Sequence, residues 1–525
     1  MAERHHKGIV IISFLIPVCI YLMMHLSCPF NICDDAYITL KSAVNLSDGN
    51  GLVFNAGEKA YVLTNPLWAF LLAIGRSLGF DIALVIRALC VLFQVTFLIS
   101  AVYLGYIVTK NPETGALFAV LMITNPIYYL SSEAGIEYAL FFTFVMLGFI
   151  LFIRKYHIWS LIAAAITIWI RFDGFLLYAV LLLSYLFMMF RNEKIPPLKI
   201  VLGVIPSLLI FIAYFVFGFL YYGDMFPQSV QMKVSESPIM FSSEWFDGAY
   251  NTFLQILFAV NFGCLSFFYN FPGFFFIFTI FSPIAFYHIF KTKQFETLSL
   301  VIYTILYSLA FIGNGSADAL GYSWYYCPPL LLAYLFSAWG IMLAFKGVIK
   351  NEKNARRFNM LMLLLVVFIT LIWMPLSLNR LNKIAQNVEA SIPKREIAFA
   401  VSAIWSGKHL PEKACIAADD LGAIGFFARP DIKVVDIYGI LRTPQDKHLD
   451  RIDILKREKP EAMFLRFKRL FGEEIESGLP GEYIWLKFGH LDLALRRDIA
   501  QKLLPDENEL IQIENELDLN REYKW

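Results

Sequence analysis

Long apolar runs recur along this chain and constrain its fold more than any other feature. Stretches of roughly 18 or more apolar residues, the length at which a helix crosses a ~30 Å hydrocarbon core, follow one another from residue 8 to residue 378. Hydrophobic residues make up 58% of the 525 residues, whereas only 17% are charged. This composition is not that of a soluble protein and predicts a polytopic α-helical membrane protein.

The apolar runs predict eleven transmembrane helices in the first 378 residues. We place them near 8–28, 82–108, 114–131, 138–153, 157–170, 174–190, 199–220, 271–290, 296–313, 328–345 and 358–378. Two further apolar stretches, 60–80 and 249–268, contain Pro, Arg, Asn or Gly and favour interfacial or re-entrant helices. The first run is long and no small-residue cleavage site follows it, so we interpret it as a retained helix rather than a secretory signal.

The distribution of basic residues predicts the orientation. Alternate loops, beginning with Arg4 and Lys7 and including the segment 346–357, are much richer in Lys and Arg than the loops between them. Because short basic loops stay in the cytoplasm, the N-terminus is expected inside. An odd number of spans then puts residues 379–525 outside. A full span at 60–80 or 249–268 would invert the assignments that follow it.

From Asn379 onward the composition becomes that of a soluble domain. A helical stretch, Asn382–Trp405, precedes three short apolar runs at Ala414–Ala418, Lys433–Ile437 and Ala462–Arg466. Short apolar runs that alternate with helical patterns predict a small α/β domain. The expected organisation is therefore a transmembrane domain of residues 1–378, with a first outer loop of residues 29–81, and an extracytoplasmic domain of residues 379–525.

Two adjacent carboxylates, Asp34 and Asp35, follow the first apolar run directly. Either could cap the helix that starts around Ala36, because Asp is a favoured N-cap residue. One acid is sufficient for a cap, so the pair favours a functional role. Adjacent carboxylates can accept a proton from a hydroxyl group or hold a divalent cation such as Mg²⁺ or Ca²⁺.

Charged residues beside other spans are further candidates, because a charge at membrane depth is costly. Arg171 and Asp173 separate two apolar runs. They could form a structural ion pair, or Arg171 could hold a phosphate group. Glu133 and Glu137, spaced i and i+4, would share one helical face and line either a solvated rim or the cavity that Asp34 and Asp35 face.

Two more positions complete the predicted substrate-binding set. Asp224 lies in a turn that Gly223 and Pro227 favour, so turn formation is the alternative to a binding role. Tyr325 belongs to the aromatic run 321–326, which is either an interfacial belt or a surface on which a sugar stacks.

Several functional classes are not supported by this sequence. A net charge of +1 is not that of a nucleic-acid-binding protein. The seven cysteines show no zinc-ligand spacing, and no serine-hydrolase, nucleotide-binding-loop or zinc-protease motif occurs. No cofactor is therefore predicted apart from an optional divalent cation at Asp34 and Asp35.

Eight motifs, taken in order, resemble one family of membrane enzymes. They are Asp34–Thr39, Asp48–Asn55, Thr64–Trp68, Gly135–Phe141, Arg171–Gly174, Tyr222–Pro227, Asp420–Phe427 and Val435–Gly439. Together they are similar to membrane glycosyltransferases of the GT-C type, in particular the terminal β-(1→2) arabinofuranosyltransferases of mycobacterial cell-wall assembly. Phe172, Met225, Phe226 and Gln228 depart from that family's pattern, so the resemblance does not imply that arabinose is the donated sugar.

The resemblance implies an inverting glycosyl transfer at the outer face of a bacterial cytoplasmic membrane. A polyprenyl-phosphate sugar would be the donor, and a glycan or glycolipid of the cell envelope would be the acceptor. Asp34 falls on the position of the general base, and Asp35 would be a supporting acid or cation ligand. Glu137 and Arg171 fall on motif positions that would line the cavity.

Two other functions are compatible with the same residues. One is a transporter or flippase of a lipid-linked sugar, although such proteins usually show internal repeats and broken helices at the membrane midplane. The other is a non-catalytic membrane protein that binds glycans. Replacement of Asp34 by Asn would separate these hypotheses, because only an enzyme should lose its activity.

Overall fold

The structure is a computed structural model in which a bundle of apolar helices joins a mixed α/β region. It describes residues 2–27, 32–190, 197–236, 273–292, 294–312, 327–348, 361, 364, 368, 393–446, 448–466, 468–488, 491–503, 508–510 and 512–513.

Helices connected mostly by short turns form the bundle. They are α1 (Ala2–Ser27), α2 (Asp34–Ser47), α3 (Pro66–Ser77), α4 (Ile82–Thr109), α5 (Pro112–Thr124), α6 (Pro126–Ser132), α7 (Tyr138–Ile153), α8 (His157–Ile170), α9 (Phe175–Phe190), α10 (Pro197–Tyr222), α11 (Gln228–Glu236), α12 (Gly273–Thr292), α13 (Phe295–Ile312) and α14 (Cys327–Val348). Four helical stretches in the described part are long and apolar enough to cross a membrane: Gly8–Ser27, Ile82–Thr109, Phe172–Phe190 and Val201–Tyr222. Shorter apolar helices accompany them, as expected for a multi-pass membrane protein.

Ten of the eleven predicted spans coincide with helices in the described part of the chain. The predicted span 358–378 contains only three described residues, and the stretch 249–268 lies outside the described residues. The prediction of one continuous helix over 114–131 is wrong, because the chain breaks at Asn125. Pro126 disfavours a helical conformation of the residue before it, and the Asn125 side chain caps α6 by accepting the N–H of Tyr128 at 3.1 Å.

Small residues bring some of these helices into close contact. A Cβ atom on Gly105 of α4 would lie 2.4 Å from the Cα atom of Gly115 of α5. Backbones that approach this closely at small residues are typical of helix pairs in membranes.

The C-terminal region (residues 393–513) contains a five-stranded sheet flanked by helices. Its elements are α15 (Pro393–His409), β1 (Cys415–Ala418), α16 (Gly422–Phe427), β2 (Lys433–Asp436), α17 (Arg451–Glu458), β3 (Ala462–Leu465), α18 (Lys468–Gly478), β4 (Tyr483–Phe488), β5 (Leu491–Arg496) and α19 (Arg497–Ala500). The strand order is β2-β1-β3-β5-β4, with β2, β1 and β3 parallel to one another and β5 antiparallel to both of its neighbours.

Successive side chains of the strands pack on opposite faces of this sheet. Phe464 packs near Trp405 of α15, with ring centroids 6.5 Å apart. Its neighbour Met463 belongs instead to the apolar cluster that contains Leu455 of α17 and Ile475 of α18. This alternation of period two buries both faces of the central strands under helices.

Candidate active site

Asp34 and Asp35 lie in the first turn of α2, but their carboxylates have different surroundings. Asp34 is 5% exposed, and its two oxygens accept the backbone N–H groups of Gly422 and Ala423 at 2.9 Å each. These amides begin α16, where N–H groups lack an acceptor within their own helix. Asp35, in contrast, is exposed. The residue at the N-cap position of α2 is Cys33, so Asp34 caps a helix of the C-terminal region rather than its own.

Arg171 joins Glu137 and Asp173 in a buried charged cluster. Its Nη1 donates to Glu137 Oε1 at 2.5 Å, and its Nε donates to Asp173 Oδ1 at 3.0 Å. The hydroxyl of Tyr307 donates to Asp173 Oδ2 at 2.6 Å, and Asn65 Nδ2 donates to Glu137 Oε2 at 2.6 Å. The Arg171 side chain is only 12% exposed. The cluster therefore ties together segments of five helices or their ends.

The ends of three helices meet at this cluster. Asn65 and Glu137 occupy the N-cap positions of α3 and α7, yet neither side chain caps its own helix. Arg171 is the residue that ends α8. One guanidinium faces two carboxylates here, so the cluster has no excess positive charge with which to attract a phosphate. Of the two alternatives for Arg171 and Asp173, this geometry fits a structural ion pair and not a phosphate-binding arginine.

The expectation that Glu133 and Glu137 share a helical face is wrong. The chain bends between α6 and α7, where Gly135 adopts a φ of +78° that favours glycine. Glu133 accepts the hydroxyl of Tyr21 at 2.9 Å and lies 2.6 Å from Nδ1 of His25. Glu133 is 6% exposed, and this burial also excludes the alternative in which it lines a solvated rim. The two glutamates therefore belong to two separate buried clusters.

Arg87 completes the Glu133 cluster. Its Nε lies 3.5 Å from Nε2 of His25. An arginine can only donate, so Nε2 of His25 is assigned as the acceptor and Nδ1 carries the proton that faces Glu133. The His25 ring thus hydrogen-bonds to Glu133 through Nδ1 and to Arg87 through Nε2.

The remaining two predicted binding residues are Asp224 and Tyr325. Asp224 lies in the turn after α10, and its carboxylate accepts the side-chain amides of Gln228 at 3.1 Å and Gln231 at 2.9 Å. These bonds fit the turn-forming alternative. Tyr325 lies outside the described residues.

A cavity of about 430 Å³ lies where the bundle meets the C-terminal region. It is lined by Gly57–Lys59, Tyr221–Gly223 and Thr443–Gln445. Glu58 is paired with Nζ of Lys433 at 2.5 Å, whereas the exposed Lys59 ammonium lies 4.8 Å from the centroid of the Tyr221 ring. Among the described residues that line this cavity, Lys59 is the only one with a cationic side chain, a role that the sequence motifs did not indicate.

The divalent cation expected at Asp34 and Asp35 stays a prediction. No group of three or more His, Cys, Asp or Glu side chains comes together among the described residues. Both oxygens of Asp34 already accept backbone N–H groups. We therefore assign no step of a reaction to a metal ion.

Comparison with known proteins identifies the fold. No family model and no curated protein sequence matches this chain. Among solved structures, it is similar to the crystal structure of ArnT from Cupriavidus metallidurans in the apo state, a GT-C glycosyltransferase. The TM-score is 0.59, with 12% sequence identity over 96% of this chain and 100% of that chain. At this identity the similarity shows a GT-C type membrane fold, while the closer resemblance to arabinofuranosyltransferases stays a prediction.

Proposed function

We propose that this protein is an inverting glycosyltransferase that moves a sugar from a polyprenyl-phosphate donor to a glycan or glycolipid acceptor of the cell envelope. The observation that carries the proposal is the similarity to ArnT, which extends over 96% of the chain. ArnT is an undecaprenyl-phosphate-Ara4N transferase. Asp35, an exposed acid at the end of the bundle that meets the C-terminal region, would supply the carboxylate that such a reaction requires.

The reaction needs one carboxylate and no protein nucleophile. The oxygen of the acceptor hydroxyl forms a bond with the anomeric carbon, and the bond from that carbon to the phosphate oxygen breaks. The electron pair leaves with the polyprenyl phosphate, the hydroxyl proton passes to the carboxylate, and the configuration inverts. A general base of this kind contributes roughly 10²–10⁴-fold to the rate.

The geometry favours Asp35 over Asp34 as this base. A base must come within hydrogen-bond reach of the acceptor hydroxyl. Asp35 is exposed, whereas both oxygens of Asp34 accept N–H groups at 2.9 Å. The sequence resemblance had put Asp34 first and Asp35 second. The burial of Asp34 and the exposure of Asp35 favour the opposite order.

Lys59 is the proposed contact for the donor phosphate. The phosphodiester needs a nearby cation, and the leaving phosphate gains negative charge during transfer. Arg171 is opposed by Glu137 and Asp173, whereas Lys59 lines a cavity large enough to admit a ligand. An ammonium is a common partner for phosphate.

The proposed reaction takes place on the outer side of the membrane. The C-terminal region contacts α2, which follows the first membrane helix directly. It therefore lies at the end of the bundle opposite the start of α1. Since the basic loops predict a cytoplasmic N-terminus, the candidate site and the C-terminal region are assigned to the periplasmic or extracellular side.

The test is a transfer assay with purified full-length protein and a panel of polyprenyl-phosphate sugars. Asp35→Asn should lower kcat by roughly 10²–10⁴-fold, and Lys59→Ala should raise the donor KM. Asp48→Asn is the matched control, because Asp48 is an exposed acid that pairs with Arg76. The product should have the inverted anomeric configuration.

Two results would overturn the proposal. One is full activity in Asp35→Asn and Asp34→Asn, which would remove the carboxylate pair from the mechanism. The other is movement of the lipid-linked sugar across vesicle membranes by the native protein without any transfer over the whole panel, which would favour the flippase.

A further inference from the structure

The side-chain amide of Asn55 joins the α2–α3 loop (residues 48–65) to the C-terminal region. It forms the two backbone hydrogen bonds that a residue of a neighbouring strand would form. Nδ2 of Asn55 donates to the carbonyl oxygen of Val434 at 2.8 Å, and its Oδ1 accepts the N–H of Val434 at 3.2 Å. Val434 lies in β2, one of the two edge strands of the sheet. Backbone groups on such an edge need partners, and the buried Asn55 side chain supplies both.

Two glycines allow α16 to approach this part of the bundle. A Cβ atom on Gly422 would lie 1.8 Å from the carbonyl oxygen of Asp34. A Cβ atom on Gly425 would lie 2.2 Å from Cζ of Phe54. Both distances are far below van der Waals contact. A side chain at Gly422 would meet the Asp34 backbone and force the two parts of the molecule apart, whereas one at Gly425 would have to displace the Phe54 ring.

Aromatic rings and an ion pair extend the same interface. Tyr37 of α2 packs against Phe426 and Phe427 of α16, with ring centroids 5.3 Å and 5.5 Å apart. At its other side, Glu58 pairs with Lys433. An apolar centre bordered by polar contacts is the usual anatomy of a stable protein interface.

We infer that Asp34 is a positioning residue that couples the C-terminal region to the reaction by fixing the first turn of α2. Its two hydrogen bonds to Gly422 and Ala423 hold that turn against α16. Asp35 is the next residue, so its direction depends on how Asp34 is held. The kinetic part of this inference rests on the proposed function, whereas the docking of the C-terminal region does not.

The docking is tested by hydrogen exchange on the full-length protein in detergent. Gly422→Ala should raise exchange in residues 50–56 and 422–436 by at least roughly tenfold, because the added methyl group meets the Asp34 backbone. Gly407→Ala is the matched control, since its Cβ atom would only touch Cβ of Arg429 at 3.6 Å. Asn55→Ala is a second test without steric conflict. Native-like exchange in both Gly422→Ala and Asn55→Ala would refute the docking.

The positioning role is tested by kinetics on the same variants. Asp34→Asn keeps only one acceptor oxygen for the two N–H groups, so kcat should fall by roughly tenfold with the pH profile of kcat/KM unchanged. Gly422→Ala should show a loss of the same kind, although it retains both carboxylates. Complete loss of transfer in Asp34→Asn with native-like exchange would overturn the inference and make Asp34 the base. If the native protein transfers no sugar, the proposed function fails, and the exchange result still decides the docking.

Discussion

Replacement of Arg171 by methionine tests whether this arginine holds the helix ends together. The guanidinium is 12% exposed, and its partners Glu137 and Asp173 are 2% and 7% exposed. Removal of the arginine would leave two buried carboxylates without the cation that balances them. Breaking a buried ion pair from one side destabilises a protein by roughly 3–5 kcal/mol, which lowers the ratio of folded to unfolded molecules by roughly two to four orders of magnitude.

The chain offers a matched control on the surface. Arg76 and Asp48 are 3.2 Å apart, with side chains 37% and 46% exposed. Such exposed pairs contribute roughly 0–1 kcal/mol, so Arg76→Met should unfold almost as the native protein does. Unfolding of the purified chain in mixed micelles, followed by tryptophan fluorescence as denaturing detergent is added, compares the two variants directly.

A double variant and the donor kinetics make the reasoning refutable. Adding Asp173→Asn to Arg171→Met should restore part of the lost stability, because it removes one uncompensated buried charge. The ion-pair account is refuted if Arg171→Met unfolds at the same concentration of denaturing detergent as the native protein. If the only change in that variant is a higher donor KM, Arg171 contacts the donor phosphate and the ion-pair account is wrong.

Three further predictions concern other parts of the molecule. Burial raises the pKa of Asp436 from 3.8 to about 6, so folding favours its protonated form. The contribution of Asp436 to the free energy of unfolding is therefore fully present below about pH 4, and about 3 kcal/mol of it is lost as the pH rises through 6. Asp436→Asn should remove this pH dependence from melting curves. Glu133→Leu removes the acceptor of the 2.6 Å contact with His25 and should destabilise the protein by about 1–3 kcal/mol in the same detergent titration. An unchanged midpoint of unfolding would show that the buried cluster adds no stability. Gly135→Ala should destabilise more than Gly57→Ala in thermal unfolding, because both glycines have positive φ but only the Cβ atom at Gly135 meets neighbours, the nearest at 3.1 Å; equal effects would leave backbone strain as the only cause.

The sequence predicted helices and strands well where length and apolarity decide the structure. Long apolar runs have few alternatives to helices in a membrane, and the three parallel strands appear as short apolar runs. The break at Asn125 was missed, although Pro126 was its signal. The β4–β5 hairpin was missed as well, because β4 lies at the sheet edge and its side chains are only partly buried.

The partners of the predicted site residues were beyond the reach of sequence analysis. Asp34 and Gly422 are 388 residues apart, and Asp173 and Tyr307 are 134 residues apart. Spacing rules apply within one helix or strand, and no local pattern records a contact between such distant segments. The expectation that Glu137 lies beside Glu133 failed for a local reason, because the i, i+4 rule assumes one continuous helix and the chain bends at Gly135 between them.

The acids at this end of the bundle differ in burial. A buried carboxylate must be compensated by donors or cations, and Asp34, Glu137 and Asp173 each have such partners in the structure. The number of acids near the first loop is therefore no measure of catalytic equipment, because most of them stabilise helix ends. Exposure is the better criterion, and under the proposed function it favours Asp35 as the acceptor of the proton and Lys59 as the contact of the phosphate. Substitutions of the buried acids should then lower the midpoint of unfolding. Substitutions of Asp35 and Lys59 should instead change kcat and the donor KM and leave that midpoint unchanged.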